Sequence, residues 1–120
     1  MKQYDLVVLG GGPGGYVAAI RAAQLGLTTA IIDQDKLGGI CLNWGCIPTK
    51  ALLKNAEVLD TVKNAKNFGI NIPSYKVDFT KTIRRSRQTS TRLSKGIDFL
   101  MKKNKITHII GRGSFITKNK

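Results

Sequence analysis

The chain opens with a mostly apolar, strand-forming run over residues 4–9 (YDLVVL) that breaks at once into Gly10-Gly-Gly-Pro-Gly-Gly15. No other feature restricts the fold as strongly. A continuous apolar run, as opposed to an alternating one, suits a strand buried on both faces of a parallel sheet. Pro13 fits the first turn of a helix, where a missing N–H costs nothing. That helix is expected to run to Leu25, with Val17, Ile20 and Ala23 three apart on its packed face and Gly26 as its stop. Residues 28–33 (TTAIID) form a second expected strand. Strand, helix and strand make a right-handed βαβ unit. The predicted fold class is therefore α/β, built on a Rossmann-like parallel sheet.

Gly10, Gly12 and Gly15 stand in the spacing G-x-G-x-x-G, at the junction of that strand and helix. In this context Gly10 makes the tight turn, Gly12 admits a pyrophosphate close to the backbone, and Gly15 lets helix and strand close together. Unpaired N–H groups and the positive end of the helix dipole attract the phosphates. Asp33 falls 18 residues after Gly15, at the end of the second strand, where a carboxylate can accept hydrogen bonds from ribose hydroxyls. The segment reads as a dinucleotide-binding unit and not as a plain glycine turn.

Residues 38–45 are glycine-rich and expected to be irregular. Pro48 is expected to open a helix running to about Lys66, with the apolar stripe Leu52, Ala56, Leu59 and Val62. A loop follows over residues 67–77, punctuated by Gly69 and Pro73. Phe79, Ile83, Ser86, Ser90, Leu93, Ile97 and Leu100 then alternate four and three apart, which predicts one long helix with a narrow packing seam, small in its middle. A third strand is expected at residues 106–110, a turn at Gly111-Arg-Gly113, a further extended piece at 114–117 and a polar end, Lys118-Asn-Lys120.

Cys41 and Cys46 are separated by four residues, and His108 is the only histidine. These do not make the ligand set of a structural zinc, and no metal site is expected. Two inert buried thiols and a redox pair both fit the spacing. Their position between flexible glycines and a helix start favours the redox pair, because a helix N-terminus stabilises the thiolate that drives disulfide exchange.

The segment Gly38-Gly-Ile-Cys41-Leu-Asn-Trp-Gly-Cys46-Ile-Pro-Thr-Lys50 closely resembles the active-site motif of flavin-dependent disulfide oxidoreductases. Together with the glycine turn and Asp33, residues 1–120 resemble the N-terminal part of the FAD-binding domain of the dihydrolipoamide dehydrogenase family. Glutathione and mercuric reductases share the cysteine spacing, whereas the wording around Cys46 favours the lipoamide branch. The resemblance implies FAD held at Gly10, Gly12, Gly14, Gly15 and Asp33, with Gly113 as a backbone contact at the adenine end. It implies a redox-active Cys41–Cys46 disulfide, in which Cys41 meets the dithiol substrate and Cys46 lies against the flavin. Lys50 matches a lysine near the isoalloxazine ring, where a cation stabilises negative charge. Lipoyl groups of 2-oxoacid dehydrogenase complexes are the implied partners, and the full-length family forms homodimers. The family often has Glu at the position of Asp33. Its NAD-binding domain, its dimer-interface domain and the catalytic histidine of the latter have no counterpart here; His108 is expected to be a partly exposed strand residue. The start at Met1 and the unfinished end suggest a fragment, one without lipoamide–NAD turnover of its own.

The 120 residues carry 20 Lys+Arg against 7 Asp+Glu, a net charge of +13. Residues 1–60 hold five of each sign, so the excess lies wholly in residues 61–120, with fifteen basic side chains against Asp78 and Asp98. Arg84, Arg85, Arg87, Arg92, Lys95, Lys102 and Lys103 fall largely off the seam of the long helix. A nucleic-acid-binding module is one alternative, recognisable by steep salt dependence. It is the weaker reading, because aromatic interleaving reduces to Phe99 and no base-reading motif is visible. A structural or interaction fragment with open sheet edges is another. The 42% hydrophobic content argues against disorder. Arg21 and Gln24 interrupt the longest apolar run before it reaches membrane-spanning length. No secretory signal is visible, and two cysteines are too few for a disulfide-stapled secreted scaffold. A cytoplasmic protein is expected.

Overall fold

Three parallel strands carry the architecture: β1 (Leu6–Leu9), β2 (Thr29–Asp33) and β3 (Thr107–Ile110), hydrogen-bonded in the order β1-β2-β3. The computed structural model describes residues 2–118; Met1 and the last two residues of the predicted polar end lie outside it. Helix α1 (Pro13–Gln24) connects β1 to β2. A short helix α2 (Gly39–Asn43), α3 (Cys46–Lys63), a 3₁₀ turn (Ala65–Phe68) and the 25-residue α4 (Phe79–Lys103) separate β2 from β3. The chain is a Rossmann-like α/β unit, as the sequence predicts.

Register fixes which side chains face the helices. Val8, Ile31 and His108 lie side by side across the sheet, and Leu9, Ile32 and Ile109 lie side by side next to them. Val8 and Ile31 point into a core with Ala19, Leu37, Leu42, Ile97, Met101 and Ile106. On the opposite face Leu9 and Ile109 remain exposed. β2 is covered from both edges and contributes fully buried Ala30 and Ile31, while β1 and β3 are open-edged among the described residues. The radius of gyration is 20.3 Å, against about 13–14 Å for a compact domain of this length. The chain is elongated, with extents of 67 × 26 × 19 Å, and α3 and α4 pack on each other as a pair.

Several local expectations need correction. On α1 the buried residues are Ala19 and Ala22, with Tyr16, Ile20 and Ala23 packed beside them, whereas Val17 is 56% exposed. Ile20 and Ala23 pack as the spacing predicts, and Tyr16, Ala19 and Ala22 take the place of Val17 on the packed face. Residues 38–45 are not wholly irregular, since α2 forms within them. Helix α3 starts at Cys46, two residues before Pro48, because proline is tolerated throughout a first helical turn. Ala56 of its stripe is exposed, and Asn55 faces α4 instead. The α4 seam runs Ser86, Ser90, Ser94, Ile97, Met101, while Phe79 and Leu93 are exposed. A strict four-three count drifts about 20° per heptad from a straight helix, so the stripe slides round by the last turns. Residues 114–117 form no strand; the chain leaves β3 and crosses the sheet face, where no neighbouring strand can pair with it among the described residues.

Candidate functional site

The β1–α1 turn is built by backbone contacts. Gly10 has φ +101, a conformation that favours glycine, and its N–H is held by Ile32 O at 2.8 Å. A Cβ on Gly15 would run into the Gly10 carbonyl oxygen, so helix and strand close together only with glycine there. Gly12 and Gly14 are different. Their φ values are ordinary, and a Cβ at either would meet no atom within 4 Å. Nothing in the fold needs glycine at these two positions; the space a side chain would fill is open. The first N–H groups of α1 have no intrahelical partners, as at any helix start. This is the arrangement that a closely approaching pyrophosphate would use.

Asp33 sits 22 residues from Gly11 in sequence and against it in space. Its Oδ2 accepts the Gly11 N–H at 2.6 Å and its Oδ1 accepts the Asp35 N–H at 2.8 Å. Gly111 N–H in turn donates to Asp33 O at 2.9 Å, which fastens the turn after β3 to the end of β2. An open groove of about 450 Å³ results, lined by Gly10, Asp33, Trp44, Arg112 and Gly113 among others. A Cβ on Gly113 would lie 2.6 Å from Leu9 Cδ2, so a side chain there would need Leu9 to move aside where the chain crosses the sheet. The structure thus brings Gly10, Asp33 and Gly113 to one groove. Gly12, Gly14 and Gly15 stand at its α1 end, outside the lining.

Cys41 lies in α2, packed against the core, and Cys46 is the exposed first residue of α3. Both are free thiols. The Cys46 thiol beside it pushes the Cys41 thiol above its ordinary pKa; partial burial adds to the rise, and the nearby Lys50 charge opposes it. Lys50 is four residues after Cys46, on the same face of α3 and exposed. The dithiol does not line the groove itself; Ile40 and Trp44, on either side of Cys41, do.

Residues the sequence reading missed hold this loop. Asn43, buried between the cysteines, donates through Nδ2 to Leu37 O at 3.2 Å and Gly39 O at 3.0 Å. Arg87 Nη1 donates to Asn43 O at 3.0 Å, and Ser94 Oγ to Leu37 O at 2.8 Å. Arg85 Nη1 donates to Ala51 O at 3.1 Å and Asn55 Oδ1 at 2.9 Å. An asparagine inside the cysteine motif was the available signal; the arginines were hidden in a basic run. A larger recess, about 630 Å³, lies between α4 and β3 and includes half-buried His108, but none of the predicted site residues.

Residues 4–120 match the sequence pattern of the pyridine nucleotide-disulphide oxidoreductases. The chain belongs to that family. Three curated relatives are similar to it. The dihydrolipoyl dehydrogenase of Rhizobium etli is 59% identical over 111 residues, covering 92% of this chain and 23% of that protein. Those of Mycobacterium tuberculosis and Bacillus subtilis are 56% and 50% identical, over 99% and 95% of this chain. The chain spans about a quarter of the length of these relatives, 26% and 24% in the latter two. Among the described residues no helix is long and apolar enough to cross a membrane.

Proposed function

We propose that residues 1–120 are the N-terminal, FAD-binding and dithiol-bearing part of a dihydrolipoyl dehydrogenase. One observation carries the reading: two free cysteines five positions apart lie close together, at the junction of α2 and α3, beside a dinucleotide-type glycine turn. The curated relatives support the lipoamide branch over the other disulfide reductases.

Gly10, Gly12, Gly14, Gly15, Asp33 and Gly113 would hold the dinucleotide, and Lys50 would stand near its ring. The fit rests on the open space at Gly12 and Gly14, which no neighbour in the fold requires. When bound, FAD would supply the two-electron acceptor that returns the dithiol to the disulfide. In the step before, a dihydrolipoyl thiolate attacks Cys41 of the disulfide, and Cys46 leaves as a thiolate at the positive end of α3. The second lipoyl thiol then displaces Cys41, closing the lipoyl disulfide. Two electrons and two protons pass from substrate to the cysteine pair. Lipoyl groups of 2-oxoacid dehydrogenase complexes are the proposed source of substrate, and NAD the final acceptor in the full-length protein, a homodimer.

The 120 residues hold one G-x-G-x-x-G and one histidine, which sits in β3. We infer that by themselves they bind flavin and cycle the dithiol but do not turn over lipoamide with NAD. Two measurements on the purified chain test this: flavin fluorescence quenching on titration, and the mass of the Cys41–Cys46 peptide after mild oxidation. Saturable quenching and loss of two mass units support the reading. A colourless protein in excess flavin, whose thiols never couple, overturns it.

A further inference from the structure

Helix α2 carries Cys41 and is five residues long. A helix of that length is not stable on its own, so something outside it must fix the position of the Cys41 sulfur. Its own residues supply no side-chain cap at Gly38. The contacts that hold it come instead from the middle of α4, about 50 positions later in the chain. Arg87 Nη1 takes the Asn43 carbonyl at the C-terminal end of α2, at 3.0 Å. Ser94 Oγ takes the Leu37 carbonyl just before its N-terminal end, at 2.8 Å. Asn43 Nδ2 ties these two ends together through the same Leu37 carbonyl and through Gly39 O. Arg87 and Ser94 are seven residues apart, two helical turns or about 10 Å along a rigid rod. The bracket therefore has a fixed span, set by α4 and independent of α2.

We propose that Arg87 and Ser94 are positioning residues of the dithiol, acting through the Asn43 and Leu37 carbonyls to hold α2 so that Cys41 stays against Cys46. This deepens the dithiol reading above and rests on it. The consequence is redox. Two thiols kept near each other close to a disulfide with little loss of freedom, and their effective concentration for each other is high. Releasing one end of α2 lowers that effective concentration and makes the disulfide easier to reduce. Arginine is suited to this task because its charged donor bonds a helix-end carbonyl strongly while its stem stays on the surface.

The test is the dithiol–disulfide equilibrium of the full chain in mixtures of reduced and oxidised glutathione. In that exchange, Cys41 and Cys46 lose two electrons and two protons to one oxidised glutathione, which becomes two thiols. Acid quenching and mass measurement give the fraction oxidised. For R87A we expect the equilibrium constant for Cys41–Cys46 closure to fall about tenfold, a midpoint shift of about 30 mV. S94A should fall several-fold in the same direction, and R87K should recover part of the loss by donating to Asn43 O. R92A removes the same charge from an exposed residue of α4 that has no bond to α2, and should leave the constant unchanged. If R87A does not fold, S94A and R87K carry the test with the same expected directions. Variants that melt earlier but keep the wild-type constant overturn the inference, as does an R92A that falls as far as R87A. A wild-type chain that forms no Cys41–Cys46 disulfide at any glutathione ratio overturns the dithiol reading and the inference with it; a wild-type disulfide that R87A and S94A leave unchanged overturns the inference alone.

Discussion

Asp33 accepts the backbone N–H of Gly11 at 2.6 Å, joining the end of β2 to the turn that follows β1. The same carboxylate takes the Asp35 N–H, so both oxygens are engaged by backbone. An acidic side chain at this point is ordinarily discussed as a ribose ligand. Here it also shapes the turn: with Gly38 N–H on Gly11 O at 2.7 Å, both polar groups of Gly11 are held. A shorter Asp in place of Glu keeps the carboxylate close to the backbone it binds.

Asp33→Ala is therefore expected to cost stability as well as ligand. Removing a charged acceptor from a part-buried N–H costs about 1–3 kcal/mol, which thermal unfolding would register as a fall of several degrees. Flavin affinity, read by fluorescence quenching, should fall at least tenfold. Asp33→Asn keeps one acceptor oxygen and should lose less on both measures.

Gly15 and Gly12 separate folding from binding. At Gly15 an added Cβ meets backbone, the Gly10 carbonyl oxygen, which has no rotamer to escape into. Gly15→Ala should destabilise by about 1–3 kcal/mol. At Gly12 the added methyl meets nothing within 4 Å and φ is −70. Gly12→Ala should melt within about 0.5 kcal/mol of wild type, yet lose flavin binding more than tenfold. A Gly12→Ala chain that binds flavin normally would remove the cradle from the proposed function.

The Cys41 thiol is raised above its ordinary pKa chiefly by the Cys46 thiol beside it. Deleting that partner in Cys46→Ala removes the largest cause, and the Lys50 charge then acts on Cys41 with less opposition. The midpoint of the pH dependence of Cys41 alkylation should move down, and its rate at pH 8 should rise several-fold. A midpoint that stays or rises in Cys46→Ala would show that the two thiols are not in contact.

Asp5 gives a prediction in acid. Its carboxylate accepts both the Thr28 hydroxyl and, at 2.7 Å, the Thr28 N–H, tying the start of β1 to the start of β2. The hydroxyl bond is the main reason its pKa lies below the ordinary aspartate value. A carboxyl with a lowered folded pKa contributes stability that is complete above the unfolded value and is lost as pH falls through the folded one. Unfolding midpoints followed from pH 6 to pH 2 should show this loss only below about pH 4, and Asp5→Asn should flatten that limb while leaving the trend above it unchanged.

What the sequence made legible was local. The β1 turn, α1 and β2 follow from an apolar run, a glycine spacing and a proline, all within 30 residues of one another. Gly10, Asp33 and Gly113 meet because parallel strands end at the same edge. What stayed hidden depended on distant partners. Helix α2 has no propensity signal, since its glycines read as loop and its order comes from Arg87 and Ser94 across more than 40 positions. Arg87 itself lies in a run of basic residues that pattern alone assigns to solvent. The α4 seam was visible in kind and displaced in register, because counting by heptads ignores the slow rotation of a straight helix.

That seam carries the last prediction. Ser86, Ser90 and Ser94 are all buried, at 1%, 4% and 8% exposure, and their size lets α4 approach α2 and α3. Composition treats them alike, but their hydroxyls differ. Ser86 Oγ donates to Ile83 O and Ser94 Oγ to Leu37 O, both at 2.8 Å, while Ser90 Oγ has no partner among the described residues. A buried hydroxyl without a partner carries its desolvation cost and returns nothing, whereas a bonded one contributes about 1 kcal/mol. Ser90→Ala should accordingly leave stability unchanged or raise it by up to about 1 kcal/mol, and Ser94→Ala should lower it by a similar amount. Ser90→Leu, which removes the same hydroxyl but adds volume where the helices touch, should cost about 1–3 kcal/mol. Chemical denaturation of the three variants gives opposite signs for two identical deletions one helical turn apart. Equal losses from Ser90→Ala and Ser94→Ala would mean that Ser90 has a partner and that the seam is polar throughout.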